Sequence, residues 1–393
     1  MRQINKFYLA SFLKNQTYFV PIIILFFQDL GLDYAQIFWI FTAGSIFAFI
    51  IEIPTGILAD LYGKRTSIIW SKFIIFLAFI AFAIARNFWG LLLANLVYEL
   101  GKSFRSGTET AFVYNYLLED KNRPSYTKVK SNQKFYARIS ESIGTALGGF
   151  LAYQFGFSFV FFIAAIPAFI NFWQTLTWEK IKENLHKGKF SWKKNALFAT
   201  DSIKEVFKSP AIRKVVANIA IFTAVFVAAD KFIQPYMKEV GIDIQYFGLI
   251  YSVFLILTAF LVRYSYKLED KYGGVRLMNY LTFIAFLPLI FLGTGISAIW
   301  GVALFFFVMM VENVRSPIAN TLFHQNVNSD NRSTMGSILQ LFKSLAQLIL
   351  LPVIGYSADI YSASTAIFIL GVVVFLNAIL FWISRTNLKE KAV

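Results

Sequence analysis

The sequence predicts an all-α polytopic membrane protein, twelve transmembrane helices arranged as two pseudo-symmetric six-helix bundles. Three observations carry that prediction. Of 393 residues, 57% are hydrophobic, 15% are charged and 45 are Phe, which is more apolar surface than a soluble core of this length absorbs. Apolar runs recur at about the 20-residue length that crosses a bilayer. Polar landmarks of the first half also return in the second at one constant spacing. Gly31 and Gly241, Asp33 and Asp243, Asp60 and Asp270, Tyr62 and Tyr272, and Gly63 and Gly273 all lie 210 residues apart, as do Arg105 and Arg315, Ser106 and Ser316, and Asp120 and Asp330.

The runs place spans at 7–27, 37–58, 67–85, 88–117, 133–154, 157–177, 211–237, 245–265, 276–294, 297–322, 334–356 and 362–384. The first is interrupted by Lys14, Asn15 and Gln16 and has no small-residue cleavage site after it, so it reads as a span rather than a signal peptide. The stretch from Glu52 to Arg65 reads as a short loop between the second and third spans. Gly56 and Gly63 permit its turns, Asp60 faces a helix end or a cation, and Lys64 and Arg65 mark one side of the membrane. The runs 88–117 and 297–322 are longer than a bilayer needs and must tilt or protrude. In the fifth span, Gly144, Gly148 and Gly149 are spaced for close helix packing. The segment 178–210 holds eight lysines and divides the spans six and six. The resulting domains are a bundle over 1–177, a linker over 178–210 and a bundle over 211–393. A helix over 190–207 is amphipathic enough to lie on the membrane surface, and a solvated linker explains the segment equally well. Basic residues collect in alternate loops and at both ends, which puts both termini on the cytoplasmic side.

Ionisable groups inside spans are costly, about 2.5–3.5 kcal/mol each at mid-bilayer, and are expected to pair or to line a cavity. In the fourth span Glu99, Lys102, Arg105 and Glu109 share one face of a continuous helix. The tenth repeats the idea with Glu312 and Arg315, and the fifth carries Arg138 and Glu141. Lys14 and Gln16 lie on the first span, Asp230 and Lys231 on the seventh, and Lys343 near the middle of the eleventh, on a stripe with Gln340 and Gln347. Arg138 with Glu141 and Arg105 with Glu109 also read as plain structural pairs, and Lys14 is short enough a distance inside to snorkel. Glu99 and Glu312 are the preferred proton carriers, because each has a basic neighbour three residues on. The excess of Lys14, Lys102, Arg105, Arg315 and Lys343 favours a ligand with an anionic group, and Tyr18, Trp39 and Phe226 would suit an amphipathic body.

The run Gly56-Ile57-Leu58-Ala59-Asp60-Leu61-Tyr62-Gly63-Lys64-Arg65 resembles the G-x-L-a-D-r-x-G-r-K signature of major facilitator superfamily transporters, with Leu61 in place of a basic residue. Leu268-Glu269-Asp270-Lys271-Tyr272-Gly273-Gly274 is its degenerate second copy. Ser140 to Gly149 is similar to the g-x-x-x-G-P-x-x-G-G element of the family's exporters, with Thr145 where proline stands. Gly107-Thr108-Glu109-Thr110-Ala111 with Tyr114-Asn115 looks like an efflux-like bacterial subgroup, with Asn115 where that subgroup has Asp. The resemblance implies alternating access between two bundles, with Glu52, Gly56, Asp60, Gly63, Lys64, Arg65, Asp270 and Gly273 in the gating motif and substrate near the midplane.

The expected function is secondary active transport of a small solute across the inner membrane, by efflux in exchange for protons. The alternative is a proton-coupled importer or facilitator of an anionic or zwitterionic metabolite. Protons and the lipid bilayer are the expected partners, and the expected oligomeric state is a monomer. The net charge of +15 follows from the loop lysines, so nucleic acid is not an expected partner. There is no cysteine, and His186 and His324 stand alone. No catalytic residue, metal site or cofactor is therefore expected, and a lipid-modifying enzyme, like a channel or receptor on the same scaffold, is a minor alternative.

Overall fold

The computed structural model describes residues 2–119, 123–181, 208–295, 299–326 and 332–383. Among these it forms fifteen α-helices and no strand: α1 Gln3–Lys14, α2 Ile23–Asp29, α3 Tyr34–Tyr62, α4 Lys64–Ile84, α5 Phe88–Arg105, α6 Thr108–Leu118, α7 Tyr126–Phe155, α8 Phe157–Leu176, α9 Pro210–Glu239, α10 Ile244–Arg263, α11 Ser265–Tyr272, α12 Gly274–Leu292, α13 Ile299–Asn326, α14 Arg332–Ile360 and α15 Ala363–Ile383. Nine of the described helices are long and apolar enough to cross a membrane. The other three expected spans differ for physical reasons. The first is broken into α1 and α2 around Asn15–Ile22, the fourth is broken at Ser106–Gly107, and α7 is too polar along its length, with charges as far as Glu141 and Ser, Thr and Gly beyond it. The expected surface helix over 190–207, His186, and the pair Asp120 and Asp330 lie outside the described residues.

The expected loop from Glu52 to Arg65 is corrected. The helix α3 runs through it to Tyr62, and Gly56 is an ordinary helical residue. One residue makes the whole turn: Gly63, at φ 92° and ψ 144°, in a region L side chains avoid. Its repeat partner Gly273 does the same at φ 77° and ψ 146° between α11 and α12. Gly31 and Gly241 match as well, at φ 81° and 82°. The 210-residue repeat is thus a repeat of backbone turns, which is why so few side chains need to be shared.

The chain packs as two units. The first collects its described residues from 1–32, 43–190 and 242–253, and the second from 33–42, 191–241 and 254–393. The starts of α3 and α10 therefore belong to the unit that does not hold the rest of the helix. In the first unit the core gathers Phe7, Ile68, Phe112, Tyr116 and Trp178, with Phe7 edge-on to Trp178 at 4.9 Å. Where α10 enters it, Ser252 Oγ donates to the Ser142 carbonyl at 3.0 Å. In the second unit the core gathers Val215, Met278, Ile318, Phe323 and Met335. There the N–H groups of Tyr34 and Ala35, open donors at the start of α3, donate to the Asp359 carboxylate at 3.0 and 2.7 Å, a charge-assisted cap. Outer faces carry exposed Trp173, Leu257, Ile349 and Leu380, the surface of a protein whose solvent is lipid.

The glycines of α7 meet backbone. A methyl at Gly144 would lie 2.8 Å from the Thr17 amide nitrogen, one at Gly148 would sit on the Tyr18 carbonyl oxygen, and one at Gly149 on the Ile244 carbonyl oxygen. Gly148 lets α7 lie against the broken stretch between α1 and α2, so that Thr17 and Thr145 hydroxyls meet at 3.1 Å. Gly148→Val is expected to lower folding stability by about 1–3 kcal/mol or more, visible as a reduced melting temperature and a lower yield in detergent. Wild-type stability in that variant would contradict the packing.

Candidate functional site

The first unit brings four ionised side chains together. Because α1 stops at Lys14, the following residues Gln16 and Thr17 leave helical register and turn into the unit. Ser11 Oγ donates to the Gln133 carbonyl at 2.8 Å and Asn171 Nδ2 to the Ala10 carbonyl at 3.2 Å, which fixes α1 between α7 and α8. On the other side, Gly107 takes φ 67° and ends α5. The expectation that Glu99, Lys102, Arg105 and Glu109 share one face of a continuous helix is therefore corrected: the break at Ser106–Gly107 gives Glu109 a different direction. Its Oε2 accepts from Lys14 Nζ at 3.2 Å and from Lys72 Nζ at 3.3 Å. Glu109 and Lys72 are buried, the lysine only 2% exposed. Arg105, once expected to pair with Glu109, lines a cavity of about 30 Å³ together with Lys14, Gln16, Lys72, Tyr98 and Asn171.

Lys72 was not among the residues the sequence singled out. The signal was present: Ser67, Ser71 and Lys72 form a polar stripe on an otherwise apolar helix. Ser67 and Ser71 hydroxyls donate to the Phe104 and Gly101 carbonyls at 2.7 and 2.6 Å, clamping α4 to α5 and aiming Lys72 inward. Lys14, expected to snorkel or to line a pathway, is committed to Glu109. Other charges expected to line the pathway in this unit form local pairs. Lys102 meets Glu99 at 2.7 Å, and Arg138 meets Glu141 at 2.7 Å with the arginine mostly exposed. Lys130, beyond the end of the expected fifth span, donates to Thr110 Oγ1 at 3.2 Å. Burial holds its ammonium below the ordinary lysine pKa, and the nearby Glu109 charge opposes that shift.

The residues of the two signature-like runs make contacts of their own. Glu52 is exposed and accepts from Ser106 Oγ at 3.3 Å. Arg65 donates from Nε to the Trp178 carbonyl at 2.9 Å and from its terminal nitrogen to the Leu176 carbonyl. It thereby caps the last turn of α8, where the helix dipole favours a cation. Lys64 is half-buried, and Asp60 and Asp270 are exposed.

The second unit has its own buried charge. Arg315 is fully buried. Its Nη1 donates to Glu312 Oε2 at 3.2 Å and its Nε to Thr282 Oγ1 at 3.0 Å, while Nη2 reaches the Asn218 carbonyl at 3.4 Å and the Asn218 side-chain oxygen. Asn218 Nδ2 in turn donates to Asn377 Oδ1 at 3.3 Å, and the guanidinium lies 4.1 Å from the Phe222 ring centroid. One arginine fork thus ties α9, α12, α13 and, through Asn218, α15. Half-buried Lys343 acts on Glu312 and Arg315 through space. Asp230 and Lys231 neutralise one another at 3.0 Å, with the lysine 4.3 Å from the Phe41 ring centroid. Among the described residues no group of acidic, histidine or cysteine side chains could hold a metal ion.

Membrane-spanning helices in a duplicated arrangement, with a buried charge cluster inside each unit, define a multi-pass solute transporter. The chain belongs to the Major Facilitator Superfamily, whose family model matches residues 7–349 and 232–393. It is similar to the MFS-type transporter YxaM of Bacillus subtilis (22% identity, covering 93% of this chain and 91% of that one). It is also similar to the multidrug resistance protein MdtG of Yersinia enterocolitica (24% identity, covering 98% and 94%). The crystal structure of the nucleoside transporter NupG superposes with a TM-score of 0.82 at 16% identity, covering 98% of this chain and all of that one. It shares the fold. These relatives are transporters and not enzymes.

Arg315→Met would strand Glu312 in the interior and is expected to cost about 3–5 kcal/mol of stability. Arg315→Lys, with no planar fork, is expected to recover only part of it. Thermal melting in detergent reads both, and an unchanged Arg315→Met melting temperature would contradict the network.

Proposed function

We propose that the chain is a secondary transporter of the cell (inner) membrane, with both termini cytoplasmic, that works by alternating access and couples movement of a small amphipathic or anionic solute to protons. One observation carries this reading: Glu109, buried among helices, holds Lys14 and Lys72 on a single carboxylate oxygen. An ionised carboxylate inside a membrane protein is costly unless paired. Any step that moves its two partners makes a proton the natural replacement. Glu312 with Arg315 is a second such pair, but the many bonds to Arg315 suit it to holding its bundle together.

Efflux in exchange for protons is the first direction, supported by the likeness to MdtG along nearly the whole chain and by the exporter-like elements in the sequence. Uptake together with protons is the second, and the Lys14–Glu109–Lys72 arrangement favours it. A proton on Glu109 releases two cations for an anion, so proton and anion bind better together than apart. Proteoliposomes with a pH dye inside separate the two. On addition of a transported solute outside, exchange alkalinises the lumen and cotransport acidifies it. Glu109→Gln is expected to abolish either signal. Solute flux that leaves luminal pH unchanged in the wild type would contradict proton coupling.

A further inference from the structure

We propose that the first unit contains a binding site for a small aromatic or flat apolar carboxylate, in which Lys72, Lys14 and Arg105 receive the carboxylate and Phe19, Phe79 and Tyr98 receive the body. The inference rests on the transport reading above and names the solute class it serves.

Three observations converge on the cavity beside Glu109. The first is charge. Lys14, Lys72 and Arg105 line it, and among the described residues Glu109 is the carboxylate bonded to the two lysines. Three cations against one anion leave a positive excess, with Lys72 buried and Lys14 and Arg105 half-buried, where screening by water is weaker than at an exposed surface. The second is shape. Phe19, Phe79 and Tyr98 line the same cavity and contact one another, with ring centroids 5.5 Å apart for Phe19–Phe79, 6.2 Å for Phe19–Tyr98 and 5.7 Å for Phe79–Tyr98. Rings meeting at these angles form an aromatic corner that takes a flat apolar group by edge and face contacts. The third is the resident. At about 30 Å³ the open space holds little more than a water. The anion position proper is therefore the one Glu109 occupies between the two lysines. Asn171 and Gln16 border the cavity with neutral polar groups.

Glu109 is then an internal surrogate for the ligand. A solute carboxylate takes over Lys14 and Lys72, and Glu109, deprived of both partners, takes up a proton. The charged groups that face it are Lys14 from α1, Lys72 from α4, Arg105 from α5 and, further out, Lys130 from α7. All four are cations, so neutralising Glu109 strengthens their hold on an incoming anion. Solute affinity therefore rises as pH falls over a range, about 5.5 to 8, in which the carboxylate probe itself stays ionised.

The test uses the full chain in detergent, with benzoate as probe and benzamide as its neutral counterpart, followed by thermal shift and isothermal titration. Benzoate is expected to bind and benzamide not. Benzoate affinity should rise severalfold from pH ~8 to ~5.5. Glu109→Gln should raise affinity roughly tenfold and flatten that pH dependence, a gain that misfolding cannot produce. Lys72→Gln should abolish binding, and Lys72→Arg should retain part of it. Equal binding of benzoate and benzamide, or benzoate affinity unaltered by both Glu109→Gln and Lys72→Gln, would overturn the site while leaving proton-coupled flux intact. The expected benzoate pattern in a protein that shows no solute-driven pH change would instead overturn the coupling and leave the site standing.

Discussion

Everything in the first bundle is arranged around one carboxylate oxygen shared by two lysines. A buried Glu with a single lysine would balance charge, whereas Glu109 with Lys14 and Lys72 does not, and Arg105 adds to the imbalance. Two irregularities of the backbone and one side-chain clamp assemble this cluster. The end of α1 at Lys14 delivers one lysine, the clamp of Ser67 and Ser71 onto α5 delivers the other, and the left-handed Gly107 delivers the glutamate. The glycines of α7 then let that helix close onto the broken segment after Lys14 without a side chain in the way. A cluster with excess positive charge is a poor stabilising device, since desolvation of each ion costs several kcal/mol.

The second bundle solves a related problem differently. Arg315 stands 210 residues after Arg105, yet Arg105 ends a helix beside a cavity while Arg315 sits within one and is saturated by Glu312, Thr282 and Asn218. The duplicated positions have diverged into a loosely engaged cation and a structural tie. The turn glycines have not: Gly63 and Gly273 keep nearly the same φ and ψ, as a single-residue link between successive helices requires.

The sequence made the architecture legible because span length, loop charge and a constant repeat offset are all one-dimensional signals. Partners i and i+3 on one helix were legible for the same reason, and Glu99 with Lys102, Arg138 with Glu141 and Glu312 with Arg315 are such pairs. What was not legible depends on a break or on tertiary contact. Helical periodicity carried Glu109 onto the Arg105 face, because nothing in a run of apolar residues announces that Gly107 will adopt positive φ. The same over-reading in reverse made Gly56 part of a loop, when one glycine, Gly63, is enough. Lys72 was overlooked because its partner is 37 residues away in sequence, and Asn218, Thr282 and Asn377 because neutral polar residues in spans are common.

The central claim is that Glu109 gives up its lysines and takes a proton when an anionic solute arrives. Infrared difference spectroscopy reads that proton directly, with benzoate isotope-labelled at its carboxyl carbon to separate its bands from the protein's. The account predicts a protonated-carboxyl stretch appearing on benzoate addition at mildly acidic pH in the wild type and absent from Glu109→Gln. A wild-type spectrum in which benzoate binds with no new protonated carboxyl would contradict it.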